Sequence, residues 1–389
     1  MQNLPSLTIG KHTSRLPIIQ GGMGVGISGY RLAGAVAANG GIGTISGIGL
    51  PMVPAVRDNY FINSPQSLYD ETGRCVAEEI RKAREIANGG PIFLNVMAAI
   101  FGYREQVLAA LEAGIDGIVS GAGFNKEILQ FAKDFPHVAF VPILSDAADI
   151  ESILRMFEKR AGRPFDALIL EDPSVAGGHL GAKGRKLENV NLDVTKLETS
   201  VPAAVKFFAD RGLKIPVIGA GGIVDRADID RVLRLGGSGV QMGMAFYMTF
   251  ESGAHEKAKA AAAAVTSRDD LIDYQSSACM PARALRASPV FARIAGVAAN
   301  PAAFLGEGKA NLANCRKNVN CLQHCALRDG YGVETTGIPF AQMCIADELL
   351  SAVEGNDGDG LYFASVSALR INTVRSVREI MAELSGESA

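Results

Sequence analysis

A closed (β/α)8 barrel of the TIM type, with an insertion after its second strand and an irregular, cysteine-containing C-terminal extension, is the fold class this sequence predicts. Three observations predict it. Eight continuous apolar runs of strand length precede residue 250, and buried parallel strands read that way because both of their faces are covered. Stretches of helical character separate nearly all of them. The eight units together take about 230 residues, the size of one such barrel.

The strands are expected at residues 17–20, 41–46, 92–97, 117–120, 138–144, 167–171, 215–220 and 239–244. Helices are expected at 31–39, 76–88, 103–113, 126–135, 148–160, 201–211 and 225–235. Residues 47–75, carrying Pro51, Pro54 and Pro65, interrupt the second unit and are predicted to form a loop over one barrel mouth. After Phe246 the pattern changes. An alanine-rich helix is expected at 256–265, irregular chain holding five of the six cysteines at 276–363, and a closing helix at 374–384. The division this suggests is a barrel over 1–250 and an extension packed on it over 251–389.

The competing architecture is a doubly wound sheet. Gly24-Val25-Gly26-Ile27-Ser28-Gly29 fits the dinucleotide fingerprint, but the next strand ends Thr44-Ile45-Ser46-Gly47 and offers no acid for a ribose hydroxyl. The fingerprint is set aside.

The chain has 389 residues, 48% hydrophobic and 20% charged, with a net charge of -3. Nothing in that balance selects nucleic acid or an anionic membrane, and Lys183-Gly184-Arg185-Lys186 reads as a solvated loop. No window approaches the roughly 18 apolar residues of a membrane span, and no targeting segment opens the chain. Six cysteines in so long a chain suit a reducing cytoplasm better than a disulfide framework. A cytoplasmic protein acting on a small molecule is expected, with a homo-oligomer left open.

Barrel chemistry gathers at the carboxyl ends of the strands, and phosphate is often held after strands seven and eight. Strand seven ends Gly219-Ala220-Gly221-Gly222, and strand eight runs Val240-Gln241-Met242-Gly243-Met244. Glycines there let backbone N–H groups face an anion directly. Strand six leads from Glu171 into Ala176-Gly177-Gly178-His179-Leu180-Gly181. A histidine among glycines past a strand end is expected to be exposed, mobile and near its ordinary pKa of about 6.5, fit to move a proton. His12, His137 and His255 have no such setting.

Pro17-Ile18-Ile19-Gln20-Gly21-Gly22-Met23-Gly24, the Ala-Gly-Gly-His run, and the two glycine loops in this order resemble the nitronate monooxygenase (2-nitropropane dioxygenase) family, which includes FMN-dependent enoyl-acyl-carrier-protein reductases. The resemblance runs from Pro17 to Met248 and on through Pro281-Ala282-Arg283-Ala284 to residues 360–370. It implies FMN, and His179 as the catalytic residue. It further implies Gly22, Met23 and Gly24 beneath the flavin ring and the Asn95 amide beside it. Gly178, Gly221, Gly222, Gln241, Gly243 and Met244 would hold the phosphate end. Glu171, Gly181, Gly219, Ala220 and Met242, which flank these positions, complete the expected cofactor set. The lead-in Glu171-Asp172-Pro173 and the segment 244–250 depart from the usual family pattern, so the substrate stays open.

The implied activity is oxidation of alkyl nitronates or nitroalkanes with O2. The alternatives are an NAD(P)H-dependent reductase of enoyl thioesters or quinones, and a flavin-binding barrel without catalysis. Cys315, Cys321, Cys325 and Cys344 are spaced too irregularly for a zinc ribbon. They read as ligands of an iron–sulfur cluster, as buried apolar thiols, or as a zinc or redox pair. Cys279 reads as a pocket-lining residue.

Overall fold

The computed structural model describes residues 3–50, 65–100, 102–181, 196–278, 280–290, 322, 325, 343–356 and 360–387, without the side chains of 65–69. Two short antiparallel strands, β1 (Leu7–Ile9) and β2 (His12–Ser14), come first. There follow β3 (Ile18–Gln20), α1 (Tyr30–Ala38), β4 (Gly43–Ser46), α2 (Pro65–Ile86), β5 (Ile92–Met97) and α3 (Tyr103–Glu112). Next are β6 (Gly117–Gly121), α4 (Ile128–Asp134), β7 (Ala139–Leu144), α5 (Ile150–Ala161), β8 (Leu168–Glu171) and β9 (Gly178–His179). The barrel ends with α6 (Leu197–Ala209), β10 (Val217–Ala220), α7 (Arg226–Arg234), β11 (Gly239–Met242) and α8 (Met244–Tyr247). Beyond it lie α9 (Glu256–Ala263), β12 (Leu271–Gln275), β13 (Pro281–Leu285), α10 (Ile345–Glu354) and α11 (Val377–Ser385).

Eight strands pair in parallel in the order β3-β11-β10-β8-β7-β6-β5-β4. A parallel bridge between Ile19 and Ile42 joins the two ends, with Gln20 N donating to Ile42 O at 3.0 Å. The sheet is therefore a closed barrel.

Alternation along each strand decides which residues fill it. Ile19, Phe93, Val119, Val141, Ile169 and Ile218 form one buried cluster inside, joined by Leu7 and Ile9 of the β1–β2 hairpin. The hairpin plugs the amino end: Leu7 packs where β11 begins, 3.1 Å from where a Cβ on Gly239 would stand. Leu168, Leu170, Val217, Val240 and Met242 belong to the outer cluster between sheet and helices. With the lower end filled, the carboxyl end is left for a site.

Two expectations change. The loop predicted over 47–75 gives way to helix at Pro65, because proline's fixed φ suits the first helical position as well as a loop; residues 51–64 lie outside the described set. The stretch expected to be irregular contains β13 and α10. β13 was hidden because Pro-Ala-Arg-Ala-Leu buries an arginine and lacks apolar alternation. β12, β13 and β9 form a three-stranded antiparallel sheet across the barrel mouth, and α11 packs on α1 and α7. Among the described residues no helix is long and apolar enough to cross a membrane.

Candidate active site

The carboxyl ends of the barrel strands open into a cavity of about 340 Å3. The turn after β3 contributes Gly22, Met23 and Gly24, and β5 contributes Asn95. Glu171 ends β8, while Gly178 and His179 form β9. Ala220 ends β10 and Gly221 and Gly222 follow it, while Gln241, Gly243 and Met244 come from β11 and the start of α8. The structure thus brings most of the expected cofactor set to one wall system.

Three of that set do not line the cavity. Gly219 faces outward, where a Cβ would stand 2.9 Å from Val232 of α7, and Met242 is fully buried in the outer cluster. Both alternate with inward-facing neighbours along their strands, which explains why they turn away. Gly181 lies behind Glu171, its Cβ position 2.8 Å from Glu171 Oε2.

The lead-in to His179 is a built turn. Asp172 Oδ1 accepts from Ser174 N at 2.9 Å and from Ser174 Oγ at 2.5 Å, the side-chain turn that Asp favours. Asp172 N donates to Ala220 O at 2.9 Å, tying the turn to the β10 loop. Gly221 has φ +98 and Gly222 φ +70, and Asp172 O stands 3.0 Å from where a Cβ on Gly221 would be. A side chain there would be strained and crowded together.

His179 is half-buried, not exposed and mobile as expected. β9 pairs with β13, with Ala282 opposite His179 and Arg283 opposite Gly178. His179 Nε2 is 3.0 Å from Ser276 Oγ, and Phe363 meets the ring edge-on at 5.6 Å. Burial lowers its pKa from 6.5 to about 4, so the ring is neutral at pH 7. Glu171 moves the other way. Burial, with the nearby Asp172 charge, raises its pKa to about 7. Among the described residues its carboxyl has no hydrogen-bond partner. Gln241 Nε2 is likewise buried without a partner, next to the glycine loops.

Sequence reasoning missed Ser276 and the walls formed by Ile48, Leu322, Ile345, Leu349 and Phe363. They come from distant segments, so no local pattern marks them. Cys325 packs against the main core, and Cys344 stands at the start of α10. Cys279, Cys315 and Cys321 lie outside the described residues. Among the described residues no three His, Cys, Asp or Glu side chains are grouped to hold a metal.

Known proteins share this fold. FabK from Thermotoga maritima superposes with a TM-score of 0.63 at 22% identity, over 97% of this chain and 92% of that one. A nitroalkane oxidase from Streptomyces ansochromogenes gives 0.64 at 18% identity, over 96% of each chain. In sequence, a protein named probable nitronate monooxygenase from Bacillus subtilis (strain 168) is 28% identical over 258 residues, 61% of this chain and 67% of that protein. The profile described as nitronate monooxygenase matches residues 5–387, barrel and extension alike, and the chain belongs to that family.

Proposed function

We propose that this chain is an FMN-dependent oxidoreductase of the nitronate monooxygenase type, oxidising alkyl nitronates and their parent nitroalkanes with O2. The observation that carries the reading is a neutral, half-buried imidazole held on the wall of a barrel-mouth cavity beside two glycine loops. The residues fit FMN. Gly221 and Gly222 open backbone toward the cavity, and the partnerless Gln241 Nε2 needs an acceptor that a bound flavin would provide. The cavity volume falls within the range of about 300–1,000 Å3 usual for cofactor clefts. Gly22, Asn95, Gln241 and the loops after β10 and β11 would hold the group, whose contribution is to accept electrons from the bound substrate and pass them to O2.

The protein's own part is proton handling. With Nε2–H donated to Ser276 Oγ, the Nδ1 lone pair of His179 is free to take the α-proton of a neutral nitroalkane. The imidazolium so formed faces the new nitronate, and the cavity gains no net charge. A substrate already deprotonated skips this step.

A second reading is favoured by Glu171, a cavity carboxyl protonated near neutral pH. Such an acid could supply the proton in an NAD(P)H-dependent reduction of an enoyl thioester or quinone. Two measurements separate the readings. Flavin released by denaturation should be FMN and not FAD, and anaerobic stopped-flow should bleach it with a nitronate and not with NADH or NADPH. Bleaching by the nicotinamides alone transfers the chain to the second reading.

For the C-terminal thiols, the packing of Cys325 against the main core supports small apolar side chains. A cubane on Cys315, Cys321, Cys325 and Cys344 instead requires about four irons per chain in protein purified without oxygen.

A further inference from the structure

Arg283 is among the largest fully buried side chains, 1% exposed, yet it does not line the cavity. Its Nε donates to Asp273 Oδ1 at 2.6 Å and its Nη2 to Asp273 Oδ2 at 3.1 Å. Its remaining arm, Nη1, donates to the carbonyl of Ala176 at 2.5 Å. Asp273 is gripped from the other side by Arg268 Nη2 at 2.7 Å, and Arg268 reaches the surface. A strut of alternating charge therefore runs from solvent to the Ala-Gly-Gly-His run.

That run has little rigidity of its own. β9 is two residues long, and Gly178 has φ +69, a conformation that local sequence does not strongly enforce. Backbone bonds hold its ends: Ala176 N donates to Asp172 O at 3.0 Å, and Leu180 N to Pro281 O at 2.9 Å. Among the described residues, Arg283 is the only side chain from outside the run that bonds its backbone between Asp172 and Gly181. A buried guanidinium is costly unless every arm is used, and a planar fork fixes direction where an ammonium would not. The three bonds of Arg283 define where Ala176 sits, and His179 lies three residues further, paired to Ala282 beside Arg283.

We propose that Arg283 is the positioning residue of this site, tying the Ala176 carbonyl to Asp273 so that His179 keeps its place on the cavity wall and its bond to Ser276. The role of His179 in turnover rests on the function proposed above; its placement does not.

The test uses the flavin-loaded full chain. Arg283→Met alone would leave the Asp273 charge to Arg268 and confound lost positioning with a changed ion pair, so the informative variant is Asp273→Asn/Arg283→Met, which neutralises both partners. Its flavin content should match wild type. Its kcat on a neutral nitroalkane should fall by about tenfold to a hundredfold, as expected when a reacting group is misplaced by about an ångström, with KM little changed. Turnover of preformed nitronate should fall far less. Should the double variant not fold, Arg283→Lys keeps the charge, loses the fork, and should show the same split in smaller measure. A readout independent of turnover is the ring NMR signal of His179, assigned by its loss in His179→Gln. It should titrate closer to the ordinary histidine range in the variant, as the ring leaves its buried seat. If wild type turns over no nitroalkane, the proposed function fails and the NMR titration alone decides this inference. An unchanged His179 titration, or full kcat on the nitroalkane in a folded variant, overturns it.

Discussion

His179 Nε2 and Ser276 Oγ stand 3.0 Å apart, joining the end of β9 to the residue that follows β12. Ser276 is fully buried, and its N donates to Met280 O at 3.0 Å, so the hydroxyl is held from its own backbone. The contact ties up one ring nitrogen, and when Nε2 is the donor it leaves Nδ1 with the free lone pair.

Ser276→Ala should therefore release the tautomer without removing the base. The expected result is a loss of about tenfold in kcat/KM for a neutral nitroalkane, the scale of one lost hydrogen bond of about 1.4 kcal/mol. Ser276→Thr, which retains a hydroxyl, should recover part of it. Steady-state kinetics on both variants check the claim, and wild-type activity in Ser276→Ala would remove the serine from the mechanism.

The two shifted groups in the cavity pull stability in opposite directions with pH. His179 has a folded pKa of about 4 against an ordinary 6.5, so its contribution is present above pH 6.5 and lost as pH falls toward 4. Glu171 has a folded pKa of about 7 against 4.5, so its contribution is present below pH 4.5 and lost as pH rises toward 7. Between pH 4.5 and 6.5 the slopes oppose, each at most about 1.4 kcal/mol per pH unit. Relative to wild type, His179→Gln should tilt stability downward with rising pH across that window, and Glu171→Gln should tilt it upward. Urea unfolding at several pH values measures both. Changes of the same sign relative to wild type in the two variants would contradict the assignment.

The barrel was legible because its signal is repeated: eight buried strands each left an apolar run, and one misplaced boundary could not hide the period. The glycine loop after β10 was legible for a related reason, since φ +98 at Gly221 and φ +70 at Gly222 leave glycine behind. What escaped was whatever depends on chain separated by long sequence distances. Ser276 reaches His179 across 97 positions, and Arg283 sits in a strand whose small residues and central arginine leave no apolar run to read. The expected exposure of His179 failed on the same ground, since β13 and Phe363, both remote in sequence, enclose it.

Gly221 carries a prediction about the cofactor. An alanine there meets both the cost of φ +98 and the carbonyl of Asp172 at 3.0 Å. Gly114, with φ +77 and nothing within 4 Å of its Cβ position, supplies the control for backbone strain alone. Each substitution should destabilise by about 1–2 kcal/mol, but only Gly221→Ala should weaken FMN binding, by about tenfold or more if one phosphate-facing N–H, worth about 1.5–3 kcal/mol, is displaced. Flavin fluorescence titration of the stripped protein reads the difference. Equal affinity in the two variants would move the phosphate away from the β10 loop.

His179 itself gives the sharpest contrast, because the proposed base matters only while the substrate still carries its α-proton. Proton transfer by a positioned side chain contributes about 10² to 10⁴-fold. His179→Asn retains similar bulk and a hydrogen-bonding amide, able to reach toward Ser276, but cannot accept a proton near neutral pH. Turnover of a neutral nitroalkane should drop by about a hundredfold or more, while turnover of the preformed nitronate, whose proton is already gone, should fall far less. Flavin content should stay the same, since Gly221, Gly222 and Gly243, assigned to the phosphate, lie on the loops after β10 and β11, and the substitution leaves the backbone of Gly178 in place. Equal losses on both substrates with flavin retained would place His179 in binding or electron transfer. Full activity on both would take it out of the reaction, and the cavity would then have to find its proton acceptor elsewhere, with Glu171 the next titratable side chain on its wall.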